Sequence, residues 1–345
     1  MTSSSDALRA LGWGPHFQGQ LELDEIPDSE PLRIAAIHRG ALDLLGAAEP
    51  RRMSQDPTGL AVGDWILVDA ATGAFRRPLQ PKTRLERRGA GTGRTVQPIV
   101  ANLDTLFVVS SCNADFNAAR LERYLALARQ AGIVPVLVLS KADTCDDPDR
   151  FAADAARLDR GLVVEALDAR DPGDVARLAA WCGPGQTVAL VGSSGVGKST
   201  LVNTLAGTGI ATAGIREDDA KGRHTTTGRA LHRLPSGGWL IDTPGMRALR
   251  LHDVAEGIEA VFEDIAGLAG GCRFADCAHD TEPGCAVQAA VAEGTLDPGR
   301  LDRWRKLARE DAHNTASLAE ARRASRAQGR LFKAIKAHRR DVRGD

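Results

Sequence analysis

The chain has 345 residues, of which 43% are hydrophobic and 26% charged, and its formal net charge is −1. This length suits two or three domains with ample cores, and the composition excludes a disordered or collagen-like protein. No apolar run approaches the roughly 18 residues of a membrane helix, so the sequence predicts no membrane association.

The N-terminus has no basic segment followed by an apolar core, so we predict no secretory signal and a cytoplasmic location. A cytoplasmic location argues against the three disulfides that six cysteines could form. The charge is unevenly distributed, because the segment from Arg300 onward holds 14 Lys or Arg residues and six acidic ones. This basic tail is either a solvated helix or a surface for a polyanionic partner.

Residues 1–100 contain short apolar segments, such as 33–37 and 65–69, which are broken by Gly and Pro. Helical periodicity is weak there, so we predict a small β-barrel of the OB type. A glycine-rich loop that follows carries the arginines Arg84, Arg87, Arg88 and Arg94. This loop is either a mobile exit from the barrel or a contact with an RNA backbone.

From residue 103 onward, strands alternate with helices, which predicts a parallel sheet with right-handed crossovers. The predicted strands are residues 105–111, 134–139, 162–167 and 187–191, and the predicted helices are residues 118–131 and a segment around 174–181. Residues 231–242, with Ser236, Gly237 and Gly238 in the middle, predict a hairpin. After about residue 255 the chain becomes helix-rich.

The segment GSSGVGKS, which begins at Gly192, matches a phosphate-binding loop and lies between a predicted strand and a predicted helix. Its glycines allow the backbone to fold around phosphates with the N–H groups turned inward. Lys198 would reach the β- and γ-phosphate oxygens as a catalytic group, and the Ser199 hydroxyl would bind Mg²⁺. The predicted nucleotide contacts in this region are Gly192, Ser193, Ser194, Gly195, Val196, Gly197, Lys198, Ser199 and Thr200.

The segment DTPG begins at Asp242, about 43 residues after the phosphate loop. Asp242 would hold Mg²⁺, and the Gly245 N–H would contact the γ-phosphate. The segment SKAD (residues 140–143) ends a predicted strand upstream of both motifs, and Asp143 would accept hydrogen bonds from guanine N1–H and the N2 amine. Because base recognition comes after the phosphate loop in an ordinary GTPase, this order predicts a circularly permuted GTPase.

The predicted contacts of the guanine base are Ser140, Lys141, Ala142 and Asp143, together with Asp168 and Ala169 in a second loop. Ser140 stands where this motif usually has Asn. Its shorter side chain would lose a hydrogen bond to the loops or the base, so we expect modest guanine affinity. An ATP-using enzyme therefore stays open as an alternative.

The segment KGRHTTT (residues 221–227) lies between the phosphate loop and DTPG and predicts a switch loop. Thr225 or Thr226 is the predicted Mg²⁺ ligand. The residue after DTPG is Met246, which cannot orient a water molecule. We therefore predict that His224 orients the attacking water, the alternative being a plain exposed histidine.

Cys272, Cys277, His279 and Cys285 lie within 14 residues and provide three thiolates and an imidazole, the ligand set of tetrahedral Zn²⁺. All four positions would be filled by protein, so we predict one structural zinc ion per chain. A disulfide would leave His279 without a role.

Together these motifs resemble one family, the circularly permuted ribosome-biogenesis GTPases called RsgA or YjeQ. The resemblance rests on the motif order and on GSSGVGKS, GRHTTT, DTPG, CRFADCAHDTEPGC (residues 272–285) and QPIVANLD (residues 97–104). It implies an N-terminal OB domain, a central GTPase and a C-terminal zinc domain. It also implies that His224 is catalytic and that the small ribosomal subunit stimulates hydrolysis late in its own maturation.

We therefore expect a multidomain protein with an OB-type β-barrel (residues 1–100), a circularly permuted α/β P-loop GTPase (101–255) and a helical zinc-binding domain (256–345). The expected cofactors are Zn²⁺ and the Mg²⁺ that accompanies GTP. The expected partners are GTP or GDP and the small ribosomal subunit with its rRNA, bound by a monomer. The alternative function is a nucleotide-gated rRNA-binding adaptor with negligible hydrolysis.

Overall fold

The computed structural model describes residues 4–55, 58–88, 96–207, 230–242 and 253–316, with only the backbone described at 87, 88, 96 and 242. Two short helices, α1 (Ser4–Ala10) and α2 (Pro15–Gln18), precede the first strands. The helices of the described ranges all lack the length and apolar character needed to cross a lipid bilayer.

The N-terminal strands form an antiparallel sheet around one long strand, β1 (Ser29–His38). The first half of β1 pairs with β4 (Trp65–Asp69), which pairs with β5 (Phe75–Pro78). Its second half pairs with β2 (Ala41–Leu45), which pairs with β3 (Arg51–Ser54). One strand that serves two partners in this way bends at the irregularity between Ile34 and Ala36, as barrel strands do at corners.

This antiparallel sheet has a small core of its own, formed by alternate side chains of its strands together with Leu60 from the β3–β4 connection: Leu32, Ile34, Leu42, Leu44, Ile66 and Val68. A separate hairpin follows, built from β6 (Arg84–Arg88) and β7 (Val96–Ala101). The pairings found in the described ranges do not close the sheet on itself, so the OB type stays a prediction. The division into three domains also stays a prediction.

The central sheet confirms the predicted alternation of strands and helices. Its strands are β8 (Thr105–Ser111), β9 (Val134–Ser140), β10 (Val163–Ala166), β11 (Thr187–Gly192), β12 (Ala230–Arg233) and β13 (Trp239–Asp242). The strand order is β10-β9-β8-β11-β13-β12, parallel except for the β12–β13 hairpin predicted around Gly237. Strands β8, β9 and β11 are buried on both faces and are accordingly rich in Val and Leu.

Helices cover both faces of this sheet: α3 (Ala118–Gln130), α4 (Pro148–Ala156), α5 (Pro172–Val175) and α6 (Lys198–Ala206). The helix predicted around 174–181 is instead the single turn α5 followed by a 3-10 segment, Ala176–Trp181. Val175 and Leu178 are both buried there. Residues three apart eclipse one another in a 3-10 helix, which brings this pair onto one line against the sheet.

The winding of the sheet locates the crevice where a ligand can bind. The chain runs outward through β8, β9 and β10, and then returns to the other side of β8 as β11. The carboxyl ends of β8 and β11 therefore lie at the point where the strand order reverses. In open parallel sheets, ligands bind outside the carboxyl ends of the strands at such a point.

The N-terminal sheet and the central sheet are joined in two ways. Strand β1 pairs with β12 at Ala36 and Ala230. The buried Arg33 donates hydrogen bonds to the carbonyl oxygens of Leu11 (2.6 Å) and Asn102 (3.2 Å) and to Thr187 Oγ1 (2.9 Å). One guanidinium thus links the end of α1, the β7–β8 connection and the first residue of β11.

The C-terminal region is helical, as predicted, with α7 (Ala255–Val261), α8 (Glu263–Ala269), α9 (Ala286–Ala292) and a helix α10 described over residues 298–316. Helix α7 packs on α3 of the central sheet, where Gly257 lets it approach closely. Glu122 of α3 is fully buried and accepts hydrogen bonds from Arg303 (2.9 and 3.0 Å) and Arg300 (3.3 Å) of α10.

Candidate functional site

The phosphate-loop motif lies between β11 and α6, at the reversal point of the sheet. Gly192 has φ 148°, and a Cβ there would lie 2.1 Å from the Val109 carbonyl oxygen of β8. Gly197, with φ 86°, precedes the first turn of α6. These conformations turn the chain sharply into the helix, whose N-terminal N–H groups and dipole favour phosphate.

Two lysines lie against this loop. The Lys198 ammonium donates to the Ser193 carbonyl oxygen within the loop. The Lys141 ammonium, from the SKAD segment, donates to the Gly195 carbonyl oxygen at 2.8 Å. Lys141 has a left-handed backbone conformation with φ 59°, which directs it across the sheet edge. Two positive charges from different segments therefore meet at the loop.

Ser140 is fully buried at the end of β9, beneath the phosphate loop. Its Oγ lies 2.6 Å from the Val196 carbonyl oxygen and 3.0 Å from the Ser110 carbonyl oxygen, and its single proton serves one of them at a time. The sequence predicted that the shorter side chain would lose a contact with the loops or the base. The Ser140 hydroxyl does contact the phosphate loop, which passes directly over it, and the expected loss of guanine affinity relative to Asn stays a prediction.

The second predicted base loop follows β10 and lies beside the first. The Ala142 N–H donates to the Leu167 carbonyl oxygen at 3.3 Å, and the Thr204 hydroxyl of α6 donates to the Ala169 carbonyl oxygen at 2.7 Å. Sequence analysis missed Thr204, although its spacing of one helical turn from Thr200 could have placed it on the same face. The structure thus ties the SKAD loop, the loop after β10 and the phosphate-loop helix together.

Asp143 and Asp168 are bridged by Arg170, which sequence analysis also missed. Arg170 Nη2 lies 2.6 Å from Asp143 Oδ2 and 3.0 Å from Asp168 Oδ2, and Arg170 Nε lies 3.0 Å from Asp168 Oδ1. The Arg170 hydrogen bonds hold the pKa of Asp168 below its usual value. The sequence signal that could have led to Arg170 was the pair of carboxylates predicted at one site, because a nearby cation stabilises two neighbouring negative charges.

Several predicted residues lie outside the described residues. They are the switch residues His224, Thr225 and Thr226 and the DTPG residue Gly245, as well as Arg94 of the basic loop and the basic tail beyond 316. For Asp242 the backbone is described, and it ends β13 two strands away from β8. Arg84 of the basic loop pairs with the fully buried Asp64 at 2.8 Å, so this arginine is engaged within the fold.

The cysteine–histidine cluster is assembled as predicted. The side-chain ligand atoms of Cys272, Cys277, His279 and Cys285 all lie within 4.8 Å of one another. His279 Nδ1 is 3.5 Å from the sulfurs of both Cys272 and Cys285, and these sulfurs are 3.9 Å apart. Tetrahedral zinc coordination at normal bond lengths places a nitrogen and a sulfur ligand about 3.6 Å apart, and two sulfur ligands about 3.8 Å apart. The donor set and its spacing fit a tetrahedral metal ion.

The helices around the cluster hold its ligands in place. Cys285 caps α9, accepting from the Gln288 N–H at 3.4 Å, while Gln288 Nε2 donates to the His279 carbonyl oxygen at 2.7 Å. Arg305 of α10 also donates to this carbonyl oxygen. His279 has φ 58°, a strained conformation that these contacts support. All six cysteines have free thiols in the structure.

Comparison with known sequences and structures gives a consistent result. The profile of the RsgA GTPase family matches residues 79–252. "Small ribosomal subunit biogenesis GTPase RsgA" of Mesorhizobium japonicum is 54% identical over 338 residues, which cover 96% of this chain and 97% of that protein. "Small ribosomal subunit biogenesis GTPase RsgA 2" of Vibrio parahaemolyticus is 46% identical over 343 residues, covering 99% of this chain and 96% of that protein.

Two solved structures share the fold. YjeQ from Thermotoga maritima has a TM-score of 0.61 at 22% identity and covers 81% of this chain and 97% of its own. YloQ, described as a circularly permuted GTPase, has a TM-score of 0.58 at 24% identity and covers 81% of this chain and 93% of its own. The predicted permuted GTPase fold is thereby confirmed. Since the family profile spans half of the chain and relatives share about half of its residues along nearly its whole length, the chain belongs to the RsgA GTPase family.

Proposed function

We propose that this chain hydrolyses GTP as a checkpoint late in the assembly of the small ribosomal subunit, and that this subunit stimulates the hydrolysis. The observation that carries the proposal is the meeting of the phosphate loop, the SKAD loop and the Asp168 loop at one edge of a parallel sheet. The names of the relatives, which refer to small ribosomal subunit biogenesis, support the ribosomal step.

The base would be recognised by the carboxylate of Asp143, which accepts hydrogen bonds from guanine N1–H and the N2 amine. Adenine has an acceptor at N1 and would leave a carboxylate oxygen without a donor, which penalises its binding. The Lys141 stem would pack on the base, and Ser140 would fix the loop below it. Ala142, Asp168 and Ala169 would complete the base site.

The phosphates would be held by the backbone N–H groups of residues 192–200 and by the Lys198 ammonium. This positive surface stabilises the charge that develops on the transferring phosphoryl group. Ser199, Asp242 and either Thr225 or Thr226 would hold the Mg²⁺ that accompanies GTP, which would supply positive charge against the phosphate oxygens. His224 would orient the attacking water.

The test is GTP turnover measured with and without purified small ribosomal subunits. We expect slow turnover alone and stimulation by the subunits, since partners raise such rates by roughly 10³- to 10⁵-fold when they complete a catalytic site. Large subunits serve as the control. An unchanged rate with small subunits would overturn the proposal, and negligible hydrolysis with tight nucleotide-dependent binding would favour the adaptor.

The role of His224 is tested by H224A, with H313A as a control outside the proposed site. We expect H224A to reduce hydrolysis at least tenfold while GTP affinity stays within twofold, because the histidine acts on water rather than on the bound nucleotide. A normal rate for H224A would remove it from the mechanism.

The role of Asp143 is tested by competition of GDP and ADP for the unmodified chain. We expect GDP to bind more tightly, and D143N to shift preference toward xanthosine diphosphate, whose O2 accepts the amide N–H. A preference for ADP would support an ATP-using enzyme instead.

The cysteine–histidine cluster would hold one structural zinc ion, a choice that the three thiolates and the imidazole support. Elemental analysis of the purified chain should find about one zinc per molecule. The C272S variant should lose it, whereas C145S, a cysteine outside the cluster, should keep it. Absence of zinc, or another metal in its place, would contradict this assignment.

The rRNA of the small subunit would be contacted chiefly through its phosphates, by the basic loop and the basic tail of a cytoplasmic monomer. Arg87 and Arg88, at the end of β6, and Arg94, which follows in the sequence, are the residues for this role, since Arg84 is paired with Asp64. Affinity for the subunit should fall steeply with salt, and the slope should become shallower when the tail beyond residue 316 is removed. An unchanged slope would exclude the tail.

A further inference from the structure

Asp143 and Asp168 end up on either side of one guanidinium. The exposed fractions of the Asp143 and Asp168 side chains are 26% and 21%, whereas that of Arg170 is 68%. Both carboxylates are thus partly exposed, and the more exposed arginine covers part of each of them. The two negative carboxylates can lie close to each other because the guanidinium between them neutralises both in part.

We propose that Arg170 is a positioning residue for guanine recognition, whose guanidinium neutralises Asp168 and holds the Asp143 carboxylate oriented toward the base. The proposal rests on the proposed role of Asp143 in binding guanine. It assigns a specificity function to a residue outside the four-residue base motif.

The contacts form a chain that starts in the sheet-covering helix α5. Asp174 of α5 accepts a hydrogen bond from the Asp168 N–H at 2.9 Å. The Asp168 carboxylate then accepts from the Arg170 N–H at 2.9 Å and from both Nε and Nη2 of its side chain. This bidentate fork fixes the plane of the guanidinium. The direction of the remaining Nη2 hydrogen bond to Asp143 follows from that plane.

The contact with Arg170 is compatible with a bound base. A carboxylate has about four acceptor positions on its two oxygens, and Arg170 contacts one oxygen of Asp143. The other positions are sufficient for guanine N1–H and N2 amine. Arg170 therefore supports the acceptor without replacing the base as its donor.

Removing Arg170 would leave two carboxylates facing each other without the shared cation. Repulsion between them would rotate the Asp143 carboxylate away from the position in which it accepts both guanine hydrogen bonds. The loss should be specific to guanine, since the phosphate loop is untouched.

The experiment measures equilibrium affinities for GDP and ADP in the unmodified chain, R170A, R170K, D168N and R170A/D168N. The control is R157A, which removes another exposed arginine, one that pairs with Asp154 in α4. We expect R170A to bind GDP roughly five- to tenfold more weakly while its ADP affinity stays within twofold. We expect R157A to match the unmodified chain, and R170K to be intermediate because an ammonium cannot form the fork.

The double variant separates neutralisation from a general effect on the loop. If Arg170 acts by neutralising Asp168, then R170A/D168N should recover most of the GDP affinity lost in R170A. The single variant D168N is the fourth member of this double-mutant cycle. Thermal unfolding of each variant shows that it is folded.

Three results would overturn the proposal. The first is that R170A binds GDP at least as tightly as the unmodified chain. The second is that R170A loses equal affinity for GDP and for ADP. The third is that the double variant binds GDP as weakly as R170A. Each leaves guanine recognition by Asp143 standing if the unmodified chain still prefers GDP. A preference of the unmodified chain for ADP would instead contradict the proposed function itself.

Discussion

At the residue scale, Gly192 determines how closely the phosphate loop can approach the neighbouring strand. Its φ of 148° and the 2.1 Å between its would-be Cβ and the Val109 carbonyl oxygen leave no room for a side chain. Gly195 in the same loop has φ 77° and no atom within 4 Å of its would-be Cβ. The two glycines therefore differ in the space around them as well as in backbone conformation.

We expect G192A to lower the free energy of unfolding by about 3 kcal/mol or more, because backbone strain and a clash with a carbonyl oxygen combine. We expect G195A to lower it by only about 1 kcal/mol, the cost of a left-handed conformation for alanine. Urea unfolding without nucleotide measures both. Equal losses in the two variants would show that the approach to Val109 is unimportant.

A second residue-scale feature is the buried thiol of Cys182, whose pKa burial raises to about 12 from an ordinary value of 9.0. The folded chain keeps this proton at pH values where the unfolded chain releases it. Because the unfolded state then binds fewer protons, stability falls as the pH rises above about 9, by at most about 1.4 kcal/mol per pH unit for this group.

We expect the C182A variant to show a shallower decline of unfolding free energy between pH 9 and pH 10.5 than the unmodified chain. Urea unfolding at a series of pH values provides the slopes. The comparison of these slopes does not depend on the overall loss of stability that the smaller side chain causes. Identical slopes would mean that Cys182 ionises in the folded chain as it does in the unfolded one.

At the scale of elements, α3 and the described part of α10 are joined by three ion pairs, two at a buried glutamate and one that is more exposed. Glu122 is fully buried and contacts Arg300 and Arg303, whereas Arg123 and Glu310 are each nearly 30% exposed. A buried pair that loses one partner leaves an uncompensated charge, while an exposed pair contributes little. The attachment of the C-terminal helices should therefore depend on Glu122.

We expect E122A to lower the free energy of unfolding by about 3 kcal/mol. We expect E310A, at the same helix pair, to lower it by less than about 1 kcal/mol. Urea unfolding gives both values, and hydrogen exchange of α10 should increase in E122A first. A larger effect of E310A would contradict the role of burial in this interface.

At the scale of the whole molecule, Arg33 connects the N-terminal sheet with the central sheet. Its burial lowers the pKa of the guanidinium to about 10, so it remains charged at neutral pH. Its hydrogen bonds with Leu11, Asn102 and Thr187 join segments more than 150 residues apart in sequence. The two sheets are therefore expected to unfold together.

We expect R33M to destabilise the chain by about 3 kcal/mol, because buried acceptors lose their donor. We also expect faster hydrogen exchange in β1 to β5 than in β8 to β11, as the N-terminal sheet becomes independent. R51A, which removes a partly exposed pair with Glu30 inside the N-terminal sheet, is the control. Uniform acceleration across both sheets would show that Arg33 does not link them specifically.

The sequence predicted the central sheet closely, since its strands are continuous apolar runs and its helices have apolar periodicity. The single turn of α5 with its 3-10 extension was predicted as a helix, because residues 174–181 are too few for periodicity to separate the two. The cysteine cluster was predicted in full, because all four ligands lie within one short segment.

Contacts between distant segments were not accessible from the sequence. The bridge of Arg170 between two loops, the tie of Thr204 to Ala169 and the place of Ser140 under Val196 all depend on which strands are neighbours. Sequence analysis treated Ser140 as a loss relative to Asn. The structure adds that a buried hydroxyl reaches the phosphate loop, because β9 and β11 flank the same strand, and the expected loss relative to Asn stays a prediction.

What the sequence determined by itself was the chemistry of local segments: a phosphate loop, a base motif upstream of it and a four-ligand metal cluster. Residues close together in the chain fix such features, because their geometry depends on local backbone conformation. The tertiary structure decided how β8 and β11 become neighbours and how Asp143, Asp168 and Arg170 meet. Those contacts come from strand pairing and side-chain packing, which join residues that no local pattern relates.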